Sequence, residues 1–331
     1  MLKLALGTCF VLIVALGVTD TYSLRIGGPE LHLGKWSYTN NETQASTWGE
    51  HFTQCDGAFE SPIDIVKGDT KSASTLKPIR INPDSVDYSQ TTYQVINTQH
   101  SVQIVFPDNV WRVSLDNTTK GSYCVKQMHF HWGSNDSVGS EHTLDGKRFS
   151  LEAHLVTYNC DLYSTYEVAS TSPYGHAVLG FWGMEQSNVQ SENTLLGKLG
   201  QFQTKIAEVL EIGVSVNISP FDLRAVFSLV DPASYYRYMG SLTTPGCTQN
   251  VIWTMFTTVA PISKEQLIAL RNQNFGTNEE QKKMENNFRP VQQLNSEKTP
   301  IPRVVYRASS GLVHANALVL LILHAFRELA Q

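Results

Sequence analysis

The sequence lacks an excess of positive charge: its 25 lysines and arginines are outnumbered by 30 aspartates and glutamates, for a formal net charge of −5. A nucleic-acid-binding domain needs a basic surface to neutralise phosphates, so this balance argues against a polyanion partner. Between residues 30 and 305 there is no linker, low-complexity tract or internal repeat, which favours a single domain. No apolar run reaches the ~20 residues that a transmembrane helix needs.

The N-terminus differs in composition from the rest of the chain. Lys3 is followed by an apolar run over residues 4–18, which has the position and length of a secretory signal peptide. The alternative, an apolar first helix of the fold, is disfavoured because the run has no amphipathic pattern. We predict a signal peptide over residues 1–23 and a domain over residues 24–307.

The C-terminal segment 308–331 has the order of features found in a glycosylphosphatidylinositol (GPI) attachment signal. Small residues at 308–311 precede a short spacer and an apolar run at 317–326. An ordinary amphipathic tail is the alternative, and the polar ending after Phe326 is unusual for an anchor signal. We expect an extracellular protein attached to the cell membrane by a lipid anchor, or otherwise secreted.

Cysteine is scarce, and one of the five, Cys9, lies in the predicted signal peptide. An even set remains for an oxidising compartment: Cys55, Cys124, Cys160 and Cys247. Such a set predicts two disulfides, with three pairings open. Four Asn-x-Ser/Thr sequons are candidate glycosylation sites, although several would arise by chance. They begin at Asn41, Asn117, Asn135 and Asn217.

Short runs of β-branched and aromatic residues recur between Gly, Pro, Asn and Asp, and they predict strands. The runs cover residues 93–96, 102–106, 110–115, 124–132, 151–158, 176–182 and 251–259. Residues 192–210 predict a helix, because one helical face collects Leu195, Leu199, Phe202, Ile206 and Val209. A second helix is predicted over 263–272, which begins with a capping box of Ser263 and Gln266. The predicted fold is mainly β (α+β), a single domain with peripheral helices.

Three histidines on two predicted strands are candidates to bind a metal. His129 and His131 lie two apart, so their side chains project from one face, and His154 joins them if the strands pair antiparallel. Three histidines with an open fourth position describe a catalytic zinc site. The alternative is a set of ordinary strand histidines, since His-x-His often occurs without metal. Gln127 and Glu152 favour zinc, because buried polar residues two positions from a ligand can orient it.

The chain resembles the alpha-class carbonic anhydrases over nearly all of residues 32–305. The segments that carry this resemblance are 127–134, 139–143, 152–156, Trp36-x-Tyr38, 61–65, 177–180, 241–245 and 287–290. The resemblance implies a large, mostly antiparallel twisted sheet with zinc in a conical cleft. It also implies reversible hydration of carbon dioxide to bicarbonate by attack of zinc-bound hydroxide, with sulfonamides and anions as inhibitors.

The resemblance further implies a role for each site residue. Zinc would be held by His129, His131 and His154. These ligands would be oriented by Gln127, Glu152 and the backbone carbonyl of Asn287. Thr243 would accept a hydrogen bond from the hydroxide and donate its own to Glu141. The carbon dioxide pocket would consist of Val156, Val178, Leu242 and Trp253. The ordered water network would include Thr244 and Tyr38, and the proton would leave through His100, otherwise a surface-loop histidine.

The resemblance also bears on the cysteines. Cys55 and Cys247 match positions that form a disulfide in secreted and membrane-bound relatives. Cys124 and Cys160 lie at the outer ends of the two zinc-bearing strands, where antiparallel pairing would bring them together; two free thiols are the alternative. Glu60 departs from the family's usual glutamine.

Two further activities fit the same fold. One is an extracellular binding or adhesion module with little catalytic activity, which is disfavoured because the three histidines, Thr243 and Glu141 are all present. The other is hydrolysis of activated esters, expected as a side activity of the same zinc site.

Overall fold

The computed structural model describes residues 36–39, 43–115, 121–275 and 282–308. The predicted signal peptide, the GPI segment from residue 309 onward, Asn41 and Asn117 lie outside these residues. The described strands are β1 (Asp64–Ile65), β2 (Lys71–Ser72), β3 (Arg80–Pro83), β4 (Tyr93–Asn97), β5 (Val102–Val105), β6 (Trp111–Ser114), β7 (Tyr123–Trp132), β8 (Thr143–Leu144), β9 (Leu151–Asn159), β10 (His176–Glu185), β11 (Ser215–Ile218), β12 (Tyr235–Gly240), β13 (Val251–Ile262) and β14 (Tyr306–Ala308). The α-helices are α1 (Trp48–His51), α2 (Tyr166–Ser170), α3 (Phe202–Lys205), α4 (Arg224–Phe227) and α5 (Lys264–Arg271).

One twelve-stranded sheet dominates the described part of the chain. Its strands follow the order β11-β4-β5-β7-β9-β10-β13-β12-β14-β2, with β6 pairing to β7 and β3 pairing to β6. Its pairings are antiparallel except for β10 with β13 and β14 with β2. A second sheet consists of β1 and β8 alone. The predicted class, mainly β with a large twisted sheet and short helices at the periphery, is confirmed.

Alternation along β7 separates the core from the site. Met128, Phe130 and Trp132 are fully buried in the largest apolar cluster, while His129 and His131 point to the opposite face because strand side chains alternate. The neighbouring strand β9 is buried along its whole length. The metal-binding candidates therefore lie on the middle of the sheet, between strands that are themselves well packed.

The prediction of one continuous helix over residues 192–210 is wrong. The segment forms separate turns, and its only α-helix is α3; the 3-10 turns are Ser191–Asn193, Leu196–Lys198 and Ile206–Glu208. Gly200 has a φ of 58°, and a Cβ there would lie 3.0 Å from Phe221, so the chain bends where a helix would continue. The five apolar residues of the predicted face are nevertheless buried in the core.

The second predicted helix is confirmed as α5. Ser263 is its N-cap, and both hydrogen bonds of the capping box with Gln266 are present. The remaining 3-10 turns are Thr53–Asp56, Lys67–Asp69 and Tyr88–Gln90. Within the described ranges, every helix is too short or too polar to cross a bilayer.

Candidate metal centre

Antiparallel pairing of β7 and β9 brings the three candidate histidines together. His129 lies directly opposite His154 in the register of these strands. His154 Nδ1 lies 3.1 Å from His131 Nε2 and 3.3 Å from His129 Nε2. His131 and His154 are buried, whereas His129 is half-buried. Burial lowers the pKa of His131, and it lowers that of His129 well below its usual value.

Each histidine contacts an acceptor through its outer ring nitrogen. His129 Nδ1 lies 2.8 Å from Gln127 Oε1, His131 Nδ1 lies 2.7 Å from the Asn287 carbonyl oxygen, and His154 Nε2 lies 2.6 Å from Glu152 Oε1. A carbonyl or a carboxylate can only accept, so the outer nitrogens of His131 and His154 carry the proton. Their inner nitrogens, turned toward each other, are then unprotonated.

The inward-facing nitrogens fit a tetrahedral zinc ion. Neutral imidazoles that present lone pairs to one another repel unless a cation lies between them, and the three ligand atoms lie within 4.8 Å of one another. Zinc–nitrogen bonds of about 2.0–2.1 Å require ligand atoms about 3.3–3.4 Å apart in a tetrahedron, close to the 3.1 and 3.3 Å observed. The donor set and its spacing therefore suit Zn²⁺.

Glu141 contributes an unsatisfied oxygen beside the histidines. Its carboxylate is fully buried; Oε1 accepts a 2.8 Å hydrogen bond from the Arg289 backbone N–H. Oε2 has no hydrogen-bond partner and lies 3.5 Å from His131 Nε2. Thr243 is buried on the turn after β12, and the hydrogen bond expected between its hydroxyl and Glu141 is not formed in the structure. The free oxygen is available to a donor at the site.

Three of the four residues predicted for the substrate pocket lie on adjacent strands, and the fourth, Leu242, lies on the turn after β12. Val156 pairs with Val178 across β9 and β10, and Val178 pairs with Trp253 across β10 and β13. All three belong to one apolar cluster, and Leu242 packs against it. The Trp253 ring lies 4.8 Å from the His154 ring, so the apolar surface adjoins the histidines directly.

The turn that carries Thr243 and Thr244 is held at several points. Leu242 N–H donates to Thr248 O at 3.1 Å, and Cys247 N–H donates to Thr244 O at 2.9 Å. The indole N–H of Trp253 donates to Ser241 O at 2.9 Å. The disulfide of Cys247 with Cys55 adds a covalent tie. These contacts fix the position of the turn that carries Thr243.

The predicted shuttle His100 lies in an aromatic cluster. Trp36 stacks on it, with ring centroids 3.5 Å apart, and Tyr38 lies edge-on at 6.4 Å. The His100 backbone carbonyl accepts a 3.0 Å hydrogen bond from the Asn287 side chain. The structure thus links the loop of His100 to the residue whose carbonyl contacts His131.

Sequence reasoning missed a buried hydrogen-bond chain behind Glu152. His142 contacts Glu152 Oε1 and the Tyr238 hydroxyl, each at 2.7 Å. Tyr238 in turn contacts Ser61 Oγ at 2.7 Å. The sequence did offer one indication of this chain: His142 is adjacent to Glu141, in the segment 139–143 that carries the family resemblance. The chain fixes the carboxylate that contacts His154.

Two disulfides are present, Cys55–Cys247 and Cys124–Cys160. The second one joins β7 to the residue after β9, near the ends of the two histidine-bearing strands. Of the sequons, Asn135 and Asn217 fall within the described chain, and both side chains are exposed.

Comparison with known proteins gives one consistent match. The family model described as eukaryotic-type carbonic anhydrase matches residues 43–300. Carbonic anhydrase 6 of Bos taurus is 32% identical over 287 residues, 84% of this chain and 83% of that protein. Carbonic anhydrase 7 of Homo sapiens is 33% identical over 263 residues, 78% of this chain and 94% of its own. Carbonic anhydrase 12 of Homo sapiens is 32% identical over 280 residues, 83% of this chain and 73% of that protein.

Proposed function

This chain belongs to the eukaryotic-type carbonic anhydrase family, and from that premise we propose that it catalyses reversible hydration of carbon dioxide to bicarbonate and a proton. The observation that carries the proposal is the convergence of His129, His131 and His154, whose ring nitrogens approach to 3.1 and 3.3 Å. These residues would hold Zn²⁺. When bound, zinc lowers the pKa of a coordinated water to ~7, for which the carbonic anhydrases are the standard example.

The residues around the histidines would orient the attacking water. In this proposal Glu141 Oε2, which has no hydrogen-bond partner, accepts a hydrogen bond from the Thr243 hydroxyl. The Thr243 oxygen can then only accept a hydrogen bond. A water that donates a hydrogen bond to this oxygen has a lone pair that points away from Thr243. Glu141 keeps its position because the Arg289 backbone N–H holds its other oxygen at 2.8 Å.

The apolar wall formed by Val156, Val178, Leu242 and Trp253 would receive carbon dioxide. It offers a small linear substrate no hydrogen-bond partner, and it lies beside the histidine rings. Thr244 and Tyr38 would order water between the site and His100. His100 would export the proton after its ring leaves the stack with Trp36, because a histidine exposed to water has a pKa that suits transfer near neutral pH. Ester hydrolysis would be a side activity of the same centre.

We also propose an extracellular location, with zinc loading in the secretory pathway. Two disulfides in one chain are typical of an oxidising compartment. The proposed order is a signal peptide over 1–23, the catalytic domain over 24–307 and a GPI signal over 308–331. Glycans would occupy exposed sequons such as Asn135 and Asn217. Release of the protein from cells by a phosphatidylinositol-specific phospholipase, followed by mass mapping of glycosylated peptides, tests these points.

The catalytic proposal is tested by stopped-flow carbon dioxide hydration on protein of measured zinc content, with and without an aromatic sulfonamide. We expect one zinc per chain and inhibitable turnover. The variant His129→Ala should lose zinc and activity together, whereas His51→Ala, which alters an exposed histidine on α1, should retain both. Zinc-loaded protein without turnover would instead favour the binding or adhesion module.

A further inference from the structure

Glu60, which departs from the family's usual glutamine, forms a buried ion pair with Arg289. The Glu60 Oε2 atom lies 2.7 Å from Arg289 Nη1, and the two side chains are 6% and 2% exposed. Glu60 Oε1 accepts a 3.2 Å hydrogen bond from the Gly57 backbone N–H. Burial raises the pKa of the Glu60 carboxyl, and the guanidinium of Arg289 opposes that rise. Either charge alone at this depth would carry a large desolvation cost.

The other contacts of the Arg289 guanidinium are uncharged. It donates to the carbonyl oxygens of Ser61 at 2.8 Å and Cys55 at 2.7 Å, and it lies over the ring of Trp48 at 5.8 Å. Its Nε atom is buried with no hydrogen-bond partner. Glu60 is therefore the only carboxylate in contact with this guanidinium within the described chain. Without that charge, the positive charge of Arg289 would stay uncompensated in the interior.

Arg289 is directly connected to the metal centre. Its backbone N–H holds Glu141 Oε1 at 2.8 Å, and Glu141 Oε2 lies 3.5 Å from His131 Nε2. Its charge also reaches the site: the pKa of Tyr38 is raised by burial and by Glu141, and Arg289 acts in the opposite direction. The charges of Arg289 and Glu141 therefore act in opposite directions on the same side chain, Tyr38.

We propose that Glu60 lowers the affinity of the zinc site for anions, the product bicarbonate included, by neutralising Arg289. With Glu60 ionised, the guanidinium has a local counter-charge, and the negative charge of Glu141 opposes anions at the histidine cluster. With a neutral residue at position 60, Arg289 would offset Glu141 and draw anions in. This inference rests on the proposed zinc enzyme and deepens it, since it concerns inhibition and product release at the same site.

The experiment measures anion binding rather than turnover. A fluorescent aromatic sulfonamide is bound to the zinc-loaded full chain and displaced with iodide and with bicarbonate, after its own dissociation constant has been measured for each variant. Glu60→Gln should bind iodide about 15-fold more tightly, the size of effect that a unit charge exerts over roughly a nanometre at an effective dielectric constant of ~20. Glu60→Asp keeps the charge and should stay within about twofold of the wild type.

A double variant separates charge from local distortion. In Glu60→Gln/Arg289→Gln both charges are gone while the backbone N–H to Glu141 remains, so iodide affinity should return to within about twofold of the wild type. If Glu60→Gln alone is not recovered folded, Arg289→Gln replaces it, with the opposite expected sign of weaker iodide binding. Thermal unfolding of each variant establishes that the folded protein is being compared.

Several outcomes overturn the inference. Unchanged iodide affinity in Glu60→Gln does so, and so does an equal shift in the single and double variants, which would indicate distortion rather than charge. These failures differ from failure of the proposed function. Protein that binds zinc and the sulfonamide but does not hydrate carbon dioxide contradicts the enzyme and leaves the anion comparison valid. Protein that binds no zinc contradicts both.

Discussion

The indole of Trp36 lies flat on the imidazole of His100, with ring centroids 3.5 Å apart and an angle of 11° between the planes. Burial lowers the pKa of His100 to about 4, and its Nε2 atom has no hydrogen-bond partner. In this position the imidazole is neutral at pH 7 and accepts a proton poorly. Export of a proton through His100 therefore requires that the ring leave the stack and reach water.

Removing the stacking partner should restore an ordinary histidine. In Trp36→Ala we expect the pKa of His100 to rise from about 4 toward ~6.5, because water then reaches the ring. Trp36→Phe is the matched control: it keeps an aromatic face, so its pKa should stay closer to that of the wild type. Two-dimensional NMR titration of the histidine side chains measures both. A pKa that stays near the wild-type value in Trp36→Ala would show that other neighbours bury His100.

The lowered pKa of His100 also predicts how stability depends on pH. The folded-state pKa of about 4 lies below the unfolded value of ~6.5, so the unfolded chain binds more protons between these two values. The free energy of unfolding should therefore fall as pH decreases from ~6.5 to ~4, and this contribution should be constant above ~6.5. The wild type should therefore lose more free energy of unfolding between pH 7 and pH 5 than His100→Gln does. Allowing for the partial exposure of His100, we expect this difference to be about 1 kcal/mol. Denaturant unfolding at both pH values checks this, and an identical loss in both proteins would contradict it.

Glu152 should support zinc affinity without touching the metal. Its Oε1 atom lies 2.6 Å from His154 Nε2 and 2.7 Å from His142 Nδ1. Although burial raises the pKa of Glu152, the nearby His142 and the hydrogen bonds from His142 and His154 lower it overall, so the carboxylate stays charged. Glu152→Gln should weaken zinc binding about 10- to 100-fold, as measured by competition with a chelator. Glu167→Gln, on the exposed face of α2, is the control, and equal zinc affinity in the two variants would contradict the role.

The two disulfides should differ in their effect on activity. Cys124 and Cys160 are 36 residues apart, for which chain entropy predicts a loss of about 4 kcal/mol in the free energy of unfolding when both are replaced by serine. Zinc content and turnover of the folded fraction should be retained, because this bridge joins β7 to the residue after β9 and does not tie the Thr243 turn. The Cys55–Cys247 bridge braces that turn, so its replacement should lower kcat as well as stability. Loss of kcat in the Cys124/Cys160 variant alone would reverse this assignment.

The apolar wall should set access for carbon dioxide. Val156 is 3% exposed and lies opposite Val178, so a larger side chain at position 156 must project into the pocket or displace its neighbours. Val156→Phe should lower kcat/KM for carbon dioxide about tenfold, equivalent to ~1.4 kcal/mol, with zinc content unchanged. Val168→Phe, at a side chain that is 48% exposed on α2, should have little effect. A wild-type kcat/KM in Val156→Phe would place the substrate elsewhere.

Local sequence patterns correctly predicted those features that depend only on the spacing of residues along one strand or helix. The strand period of two predicts that His129 and His131 share a face, and the capping box of Ser263 and Gln266 predicts the start of α5; the structure bears out both. The same reasoning was wrong for residues 192–210, because an apolar face records burial but not helix continuity. There the left-handed backbone of Gly200, with a φ of 58°, turns the chain out of the helical path.

The sequence by itself determined the faces of the two histidine-bearing strands and singled out the three histidines that could hold a metal. Only the tertiary structure decided the register that sets His129 opposite His154, including the irregularity between Val125 and Gln127 that shifts it. It placed the Asn287 carbonyl against His131 across 156 positions, a contact that the family resemblance implies and local spacing does not. It alone joined Glu60 to Arg289 across 229 positions. Contacts of this kind depend on which surfaces pack together once distant segments meet, and local periodicity carries no information about that choice.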